Sequence, residues 1–248
     1  MKTARDLASE MVARFRRQAV PLAPRRVELA QRRDLNPAAY ERFRKALESR
    51  GYGFLGDFVC VELDADAVER SDSEVLRYML SPDQYTCAVY YQTRRSPWGA
   101  VRQCLAMINA GRGIQTSLAW LWRALPTGHF YDFQSAVGAT FLGTSNAIAA
   151  AAFDAPPEVD MLYVPTTRWE DLYEAHEKRL RSVASIPPRR LVDLAGIWAM
   201  EERVRQIRHA WREARGVYTL DELTRLTRNN APLARELHAE IQAIVRGS

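Results

Sequence analysis

Four residues carry the side chains that acid–base or nucleophilic chemistry would need: His129, Asp132, Ser145 and His176. A hydroxyl, an imidazole and a carboxylate are the parts of an acyl-transfer triad, in which the imidazole takes the hydroxyl proton and the carboxylate orients the imidazole. Their context matches no such signature. Ser145 lies in Gly143-Thr144-Ser145-Asn146 rather than in a G-x-S-x-G elbow, so the strained turn that exposes a nucleophile is not encoded. Only geometry can promote the four, because three such residue types occur together in almost any chain. His176, in the Leu172 to Leu180 apolar stripe with Glu174 and Glu177 nearby, suits a hydrogen-bonded histidine at a core margin or a general base. His129 sits beside a strand near Asp132, while His209 and His238 fall on helix surfaces.

Other chemistry is mostly excluded. There is no His-Glu-x-x-His, and Cys60, Cys87 and Cys104 are far apart in apolar runs, so neither a metal site nor a cofactor is expected, and the cysteines read as buried free thiols in a reducing cytoplasm. Gly51-Tyr52-Gly53-Phe54-Leu55-Gly56 matches the dinucleotide fingerprint letter for letter. A helix precedes it and a strand follows, however, so no helix N-terminus would face a pyrophosphate, and Gly51 is read as a helix C-cap. Trp98, Trp120 and Trp122, with Phe130, Tyr131 and Phe133, would make a ligand-binding wall, a membrane-contacting patch or core filling. Of these, Trp120, Trp122, Tyr131 and Phe133 are the ligand-binding candidates.

The net charge of +5 raises the question of nucleic acid. The sign of the charge alternates by segment: basic over residues 1–50, acidic over 51–93, then basic, acidic and basic again. Such a chain can satisfy itself internally. Arg16, Arg17, Arg25, Arg26, Arg32 and Arg33 form the one Arg-rich stretch with little periodicity, a candidate arm for phosphate contact. The Thr219 to Val245 region imitates a helix-turn-helix, but Glu236 and Glu240 make its second helix a poor surface for DNA.

The elements that must position these residues follow from periodicity. Leu7, Met11, Val12 and Phe15 predict a first amphipathic helix, ended by Pro21 and Pro24. Asn36, with Pro37 after it, caps a second helix with a Tyr40, Phe43, Leu47 stripe. Strands are expected over 54–63, 75–80 and 85–93 as an antiparallel meander with an acidic loop at 64–72. Residues 98–126 suit helix or strand equally. A strand then runs from about His129 through Val137, where Tyr131, Phe133 and Ser135 alternate with Asp132, Gln134 and Ala136. Gly143 to Asn146 reads as a tight turn or N-cap opening a short helix from Ala147 to Phe153, ended by Pro156-Pro157. Val159 to Tyr163 predicts a further strand, and Thr166 or Thr167 a cap for a helix from about 169 to 183. Beyond Pro187-Pro188, Ile197, Met200, Val204, Ile207 and Trp211 recur at alternating spacings of three and four, a coiled-coil-like seam for a partner or a second copy. Thr219 and Glu222 make a capping box, and a last helix spans 231–245.

The aromatic-acidic strand, the Gly-Thr-Ser-Asn turn, the Pro-Pro break and a helix ending in His-x-x-x-Leu, here His176 to Leu180, together resemble a group of uncharacterised bacterial α+β proteins over about residues 50–182. The resemblance carries no activity with it. The expectation is an α+β fold: an antiparallel sheet of four to six strands flanked by helices, with a C-terminal helical hairpin or small bundle. Residues 1–35 form an N-terminal helix and Arg-rich link, 36–186 the sheet domain and 187–248 the helical region. Without a catalytic signature, the leading expectation is a protein-interaction or regulatory module working through the seam. Its rivals are a small-ligand binder or hydrolase-like enzyme built on His129, Asp132, Ser145 and His176, and a nucleic-acid-associated protein using the arginine arm.

Overall fold

A computed structural model describes residues 3–20, 22–32, 35–62, 74–93, 128–147, 150, 153–183, 186, 188–227 and 229–247. In chain order its elements are α1 (Ala4–Arg17), β1 (Leu22–Arg26), a 3-10 turn (Leu29–Gln31), α2 (Pro37–Glu48), β2 (Gly53–Glu62), β3 (Leu76–Leu80) and β4 (Cys87–Thr93). These are followed by β5 (Gly128–Val137), β6 (Thr140–Ser145), β7 (Val159–Tyr163), α3 (Trp169–Ser182), β8 (Pro188–Arg189), α4 (Leu194–Ala214), α5 (Leu220–Leu226) and α6 (Ala231–Arg246). The acidic loop at 64–72, the ambiguous 98–126 stretch with Trp98, Cys104, Trp120 and Trp122, and Arg33 lie outside the described residues.

The α+β class is as expected, but the sheet is larger. Among the described residues it has eight strands, with β1 to β7 side by side in chain order and β8 added beside β5. The pairings are antiparallel except for β6 with β7, which run parallel. Two of the extra strands come from stretches read as irregular. Leu22–Arg26, within the supposed arm, pairs with β2, and Pro24 is tolerated opposite Cys60 because β1 is an edge strand. Thr140–Ser145 absorbs most of the supposed Gly-Thr-Ser-Asn turn. Gly143 is extended there, and a Cβ on it would lie 2.2 Å from Met161 Sδ, so the glycine serves close packing between strands rather than a turn. The real reversal is one hairpin earlier, where Gly138 adopts φ +59 between the paired residues Val137 and Thr140.

Helices cover both faces. On one, Tyr40, Phe43 and Leu47 of α2 and Leu172 of α3 close over Val59, Met79, Ala88, Tyr90 and Phe133. Asn36 caps α2 as its residue type suggests, its side chain accepting from the Ala39 amide. The N-cap of α3 is instead Arg168, with no side-chain cap. Thr166 stabilises the approach by accepting from the Arg168 amide at 3.0 Å and donating to Asp171 at 2.6 Å. On the other face, Leu191 and Ile197 pack on Phe58, Tyr78, Leu80, Cys87 and Val89. A third cluster joins α1, α5 and α6 through Phe15, Leu223, Leu237 and Ile241, and the Thr219–Glu222 capping box forms as read. Among the described residues no helix is long and apolar enough to cross a membrane.

Candidate functional site

Strand alternation separates the four candidates. Odd-numbered residues of β5 face α2 and α3, and even-numbered ones face α4, so Asp132 lies on the opposite side of the sheet from His129 and His176. The four do not form a triad.

His176 is fully buried rather than marginal. Its Nε2 meets Ser135 Oγ at 2.9 Å and its Nδ1 meets Thr144 Oγ1 at 3.2 Å; Ser135 also contacts Thr86 Oγ1 at 3.1 Å. Arg179 donates to Thr144 at 3.1 Å and to the Gly143 carbonyl, and pairs with Asp160 at 2.7 Å. Burial, followed by the nearby Arg179 charge, lowers the His176 pKa to about 3. With both ring nitrogens occupied and Ser135 fully buried, this is a neutral cross-brace between α3 and the sheet. His129 is half-buried, bonded at 2.6 Å to the Tyr90 hydroxyl, which in turn accepts from Gln92; burial and the Arg42 charge lower its pKa. Phe133 is wholly buried, and Tyr131 packs against Tyr90 and Phe43 at centroid distances of 5.1 and 5.4 Å. Phe133 is therefore core, and Tyr131 packs against that core. His209 is not a surface residue either: its ring stacks on Phe15 at 4.3 Å.

Asp132 and Ser145 do meet, on the α4 face. Register aligns Tyr78 with Val89, Val89 with Asp132, Asp132 with Ser145 and Ser145 with Tyr163, one row of side chains across β3, β4, β5, β6 and β7. At strand spacings near 4.8 Å the row spans about 19 Å. Helix α4 contributes to both ends of it. Glu201 accepts from the Tyr78 hydroxyl at 2.9 Å, and Arg208 hydrogen-bonds Tyr163. These two helix residues are seven apart, hence on one face and about 10 Å from each other along the axis.

Apart from Val89 the row is polar; Tyr78 and Ser145 are buried, and Asp132 and Tyr163 partly so. Burial raises the Asp132 pKa to about 6, against the opposing effects of the Ser145 hydrogen bond and the Arg208 charge. Burial likewise raises Glu201 to about 7, with the Tyr78 hydrogen bond opposing and the Asp132 charge adding. Arg208 is lowered, first by desolvation. Asp132 Oδ1, and Gln134 Oε1 two residues further along the same strand face, are shut from solvent and have no hydrogen-bond partner among the described residues. At the Tyr163 end a cavity of about 150 Å³ is lined by Gln18, Phe153, Asp154, Tyr163, Arg208, Arg212 and Tyr218, among others. Arg212 is held by Glu222 at 3.3 Å and lies over Phe153 and Tyr218. No cluster of three or more metal-ligating side chains occurs among the described residues.

Chemically, Asp132 and Glu201 can each hold or release a proton near neutrality, and Arg208 offers a partly buried positive charge. Ser145 lacks a histidine, so no activated nucleophile is assembled. Sequence reading missed Glu201, Arg208, Tyr78 and Tyr163. One signal was available: Glu201 and Arg208 each follow a seam residue, Met200 and Ile207, at a seven-residue interval, placing two charges beside an inward apolar stripe.

The other candidates are scattered. Ile197 is fully buried and Met200 packs against the same core, so two of the five seam residues are occupied by the chain's own sheet. Val204 and Ile207 line a separate cavity of about 140 Å³, and Arg215 lies over the Trp211 ring at 4.0 Å. Arg16, Arg17, Arg25 and Arg26 are exposed on α1 and β1, with Arg32 just beyond the 3-10 turn. Compared with known proteins, the chain matches no protein-family model, no curated protein and no solved structure.

Proposed function

We propose that this chain is a small-ligand-binding protein whose ligand sits beneath α4 against the Asp132–Ser145–Tyr163 row, with proton exchange at Asp132 and Glu201 available to it. The supporting observation is a pair of water-excluded acceptors with no partner among the described residues, Asp132 Oδ1 and Gln134 Oε1, on one strand face under the helix that carries Arg208. Leaving such a group unsatisfied costs about 1–3 kcal/mol, and a donor-bearing ligand would offset that cost. The thiols Cys60 and Cys87, free in the structure, suit a reducing cytoplasm. Native mass spectrometry of protein purified without denaturation from the cells that make it tests the reading. A retained small molecule, lost on Asp132→Ala, supports it; a bare chain that no compound in a diverse small-molecule screen stabilises sinks it.

A second reading keeps the interaction module, now at the cavity lined by Val204 and Ile207, where Arg189, Arg190 and Arg203 would favour an acidic partner segment. Co-purification of a protein that Val204→Asp releases would favour it. Nucleic-acid association through Arg16, Arg17, Arg25 and Arg26 would instead give salt-dependent binding.

A further inference from the structure

We infer that the cavity at the Tyr163 end of the row is an anion subsite, taking a phosphate or carboxylate group that Arg208 and Tyr163 hold. The inference rests on the ligand-binding reading and names the chemistry of one end of that ligand.

Arg208 and Arg212 are four apart on α4 and both line the cavity, which places two guanidinium groups on one wall. Their situations differ. Arg212 has its carboxylate, Glu222, and donates also to the Asp154 carbonyl at 3.3 Å. Asp154 is itself occupied, by Arg215 at 3.2 Å and Arg225 at 2.5 Å. Arg208 makes no ion pair among the described residues. Its bond is to the phenol of Tyr163, and the carboxylate of Asp132 acts on it only as a charge at longer range. A guanidinium carries five donors in a planar fork that matches two oxygens of a carboxylate or phosphate, so one phenol leaves most of that capacity unused. Arg208 is partly buried and desolvated; a charge so placed without an ion-pair partner is costly, and a bound oxyanion supplies one. The volume agrees: a cavity of about 150 Å³ accommodates a ligand near the size of benzene, enough for phosphate or a small carboxylic acid. The aromatic rings of Phe153 and Tyr218 hold Arg212 in place, so the site is formed before the ligand arrives.

Calorimetric titration of the full chain with inorganic phosphate, and separately with acetate, tests this, with phenol as a neutral probe of similar size. Binding of either anion, weakened about tenfold or more in Arg208→Gln and several-fold in Tyr163→Phe, is the expected result. The stronger of the two anions identifies the group. Circular dichroism checks that Arg208→Gln is folded, and Tyr163→Phe, which keeps the ring, carries the test if it is not. Anion binding unchanged in both variants, or phenol binding where neither anion binds, overturns the anion assignment and leaves the ligand site standing. Failure of all three probes overturns the anion subsite and counts against the ligand-binding reading as well.

Discussion

At the residue scale, the groups that most influence behaviour are buried and titratable, and they act in opposite directions. The fold holds Glu201 near 7 instead of its ordinary 4.5, so the protonated form is favoured in the native state. Its contribution is fully present below pH 4.5 and is lost as the pH rises towards 7. Asp132 behaves alike between 3.8 and about 6. His176, lowered from 6.5 to about 3, has the reverse sign: the fold favours neutral imidazole, and stability is lost as the pH falls from 6.5. Glu201→Gln, which keeps an acceptor for Tyr78, is therefore expected to gain stability relative to wild type between pH 4 and pH 8 by roughly 2–4 kcal/mol, at about 1.4 kcal/mol per pKa unit. Urea unfolding at the two pH values measures it, and an equal difference at both would refute the assignment. Arg77 makes a second residue-level case. It is 2 % exposed and bridges Asp57, through two bonds of 2.8 Å, to Glu41 at 2.7 Å. Arg77→Met would strand the Asp57 carboxylate, and a loss of about 3–5 kcal/mol is expected by denaturant titration. Replacing Asp57 by Asn in the same chain should recover part of it.

At the element scale, α4 sets the site, and its start is fixed by a close approach. Asp193 caps the helix, accepting from the Gly196 amide at 2.9 Å, and a Cβ on Gly196 would lie 2.1 Å from the Leu191 carbonyl oxygen. Backbone on that side cannot swing away as a side-chain tip can. Gly196→Ala should therefore cost about 1–3 kcal/mol through overpacking, although alanine favours helix more than glycine does. The helix should also shift over the row, so the variant is expected to weaken binding of the proposed ligand as well as stability. A thermal melt that rises instead would show that the approach is not limiting. Strands β1 and β6 give the complementary lesson. Their sequences contain Pro24 and Gly143, which read as breakers, and each is accommodated for a tertiary reason: an edge position opposite β2, and a Met161 side chain lying where a Cβ would be.

At the scale of the whole molecule, the cluster of α1, α5 and α6 is joined to the sheet layer through α4. Phe15 is 4 % exposed, packs within that cluster and stacks on His209 of α4. Trp198 donates to the Leu22 carbonyl at 3.2 Å, and Arg205 to the Val20 carbonyl, tying α4 to the start of β1 and to the link before it. Phe15→Ala should remove about 3–5 kcal/mol. If the units are coupled as these contacts imply, near-ultraviolet dichroism and far-ultraviolet dichroism will lose signal in one transition rather than two.

The sequence by itself determined the local structure: Asn36 and the Thr219–Glu222 box as caps, the 3.6-residue stripes of the helices, and the alternation that gives β3, β4, β5 and β7. It determined the α+β class too, because periodicity and capping are written in neighbouring residues. It also placed Asp132 and Ser145 among the candidates, without indicating that they share a row. What only the tertiary structure decided was which face each strand residue met, since alternation fixes that 132 and 133 oppose one another but not which side α4 covers. That choice separated Asp132 from His129 and His176, turned Ile197 and Met200 inward, and brought Glu201 and Arg208, remote in sequence, over Tyr78 and Tyr163. Long-range register carries this information, and no window of sequence contains it.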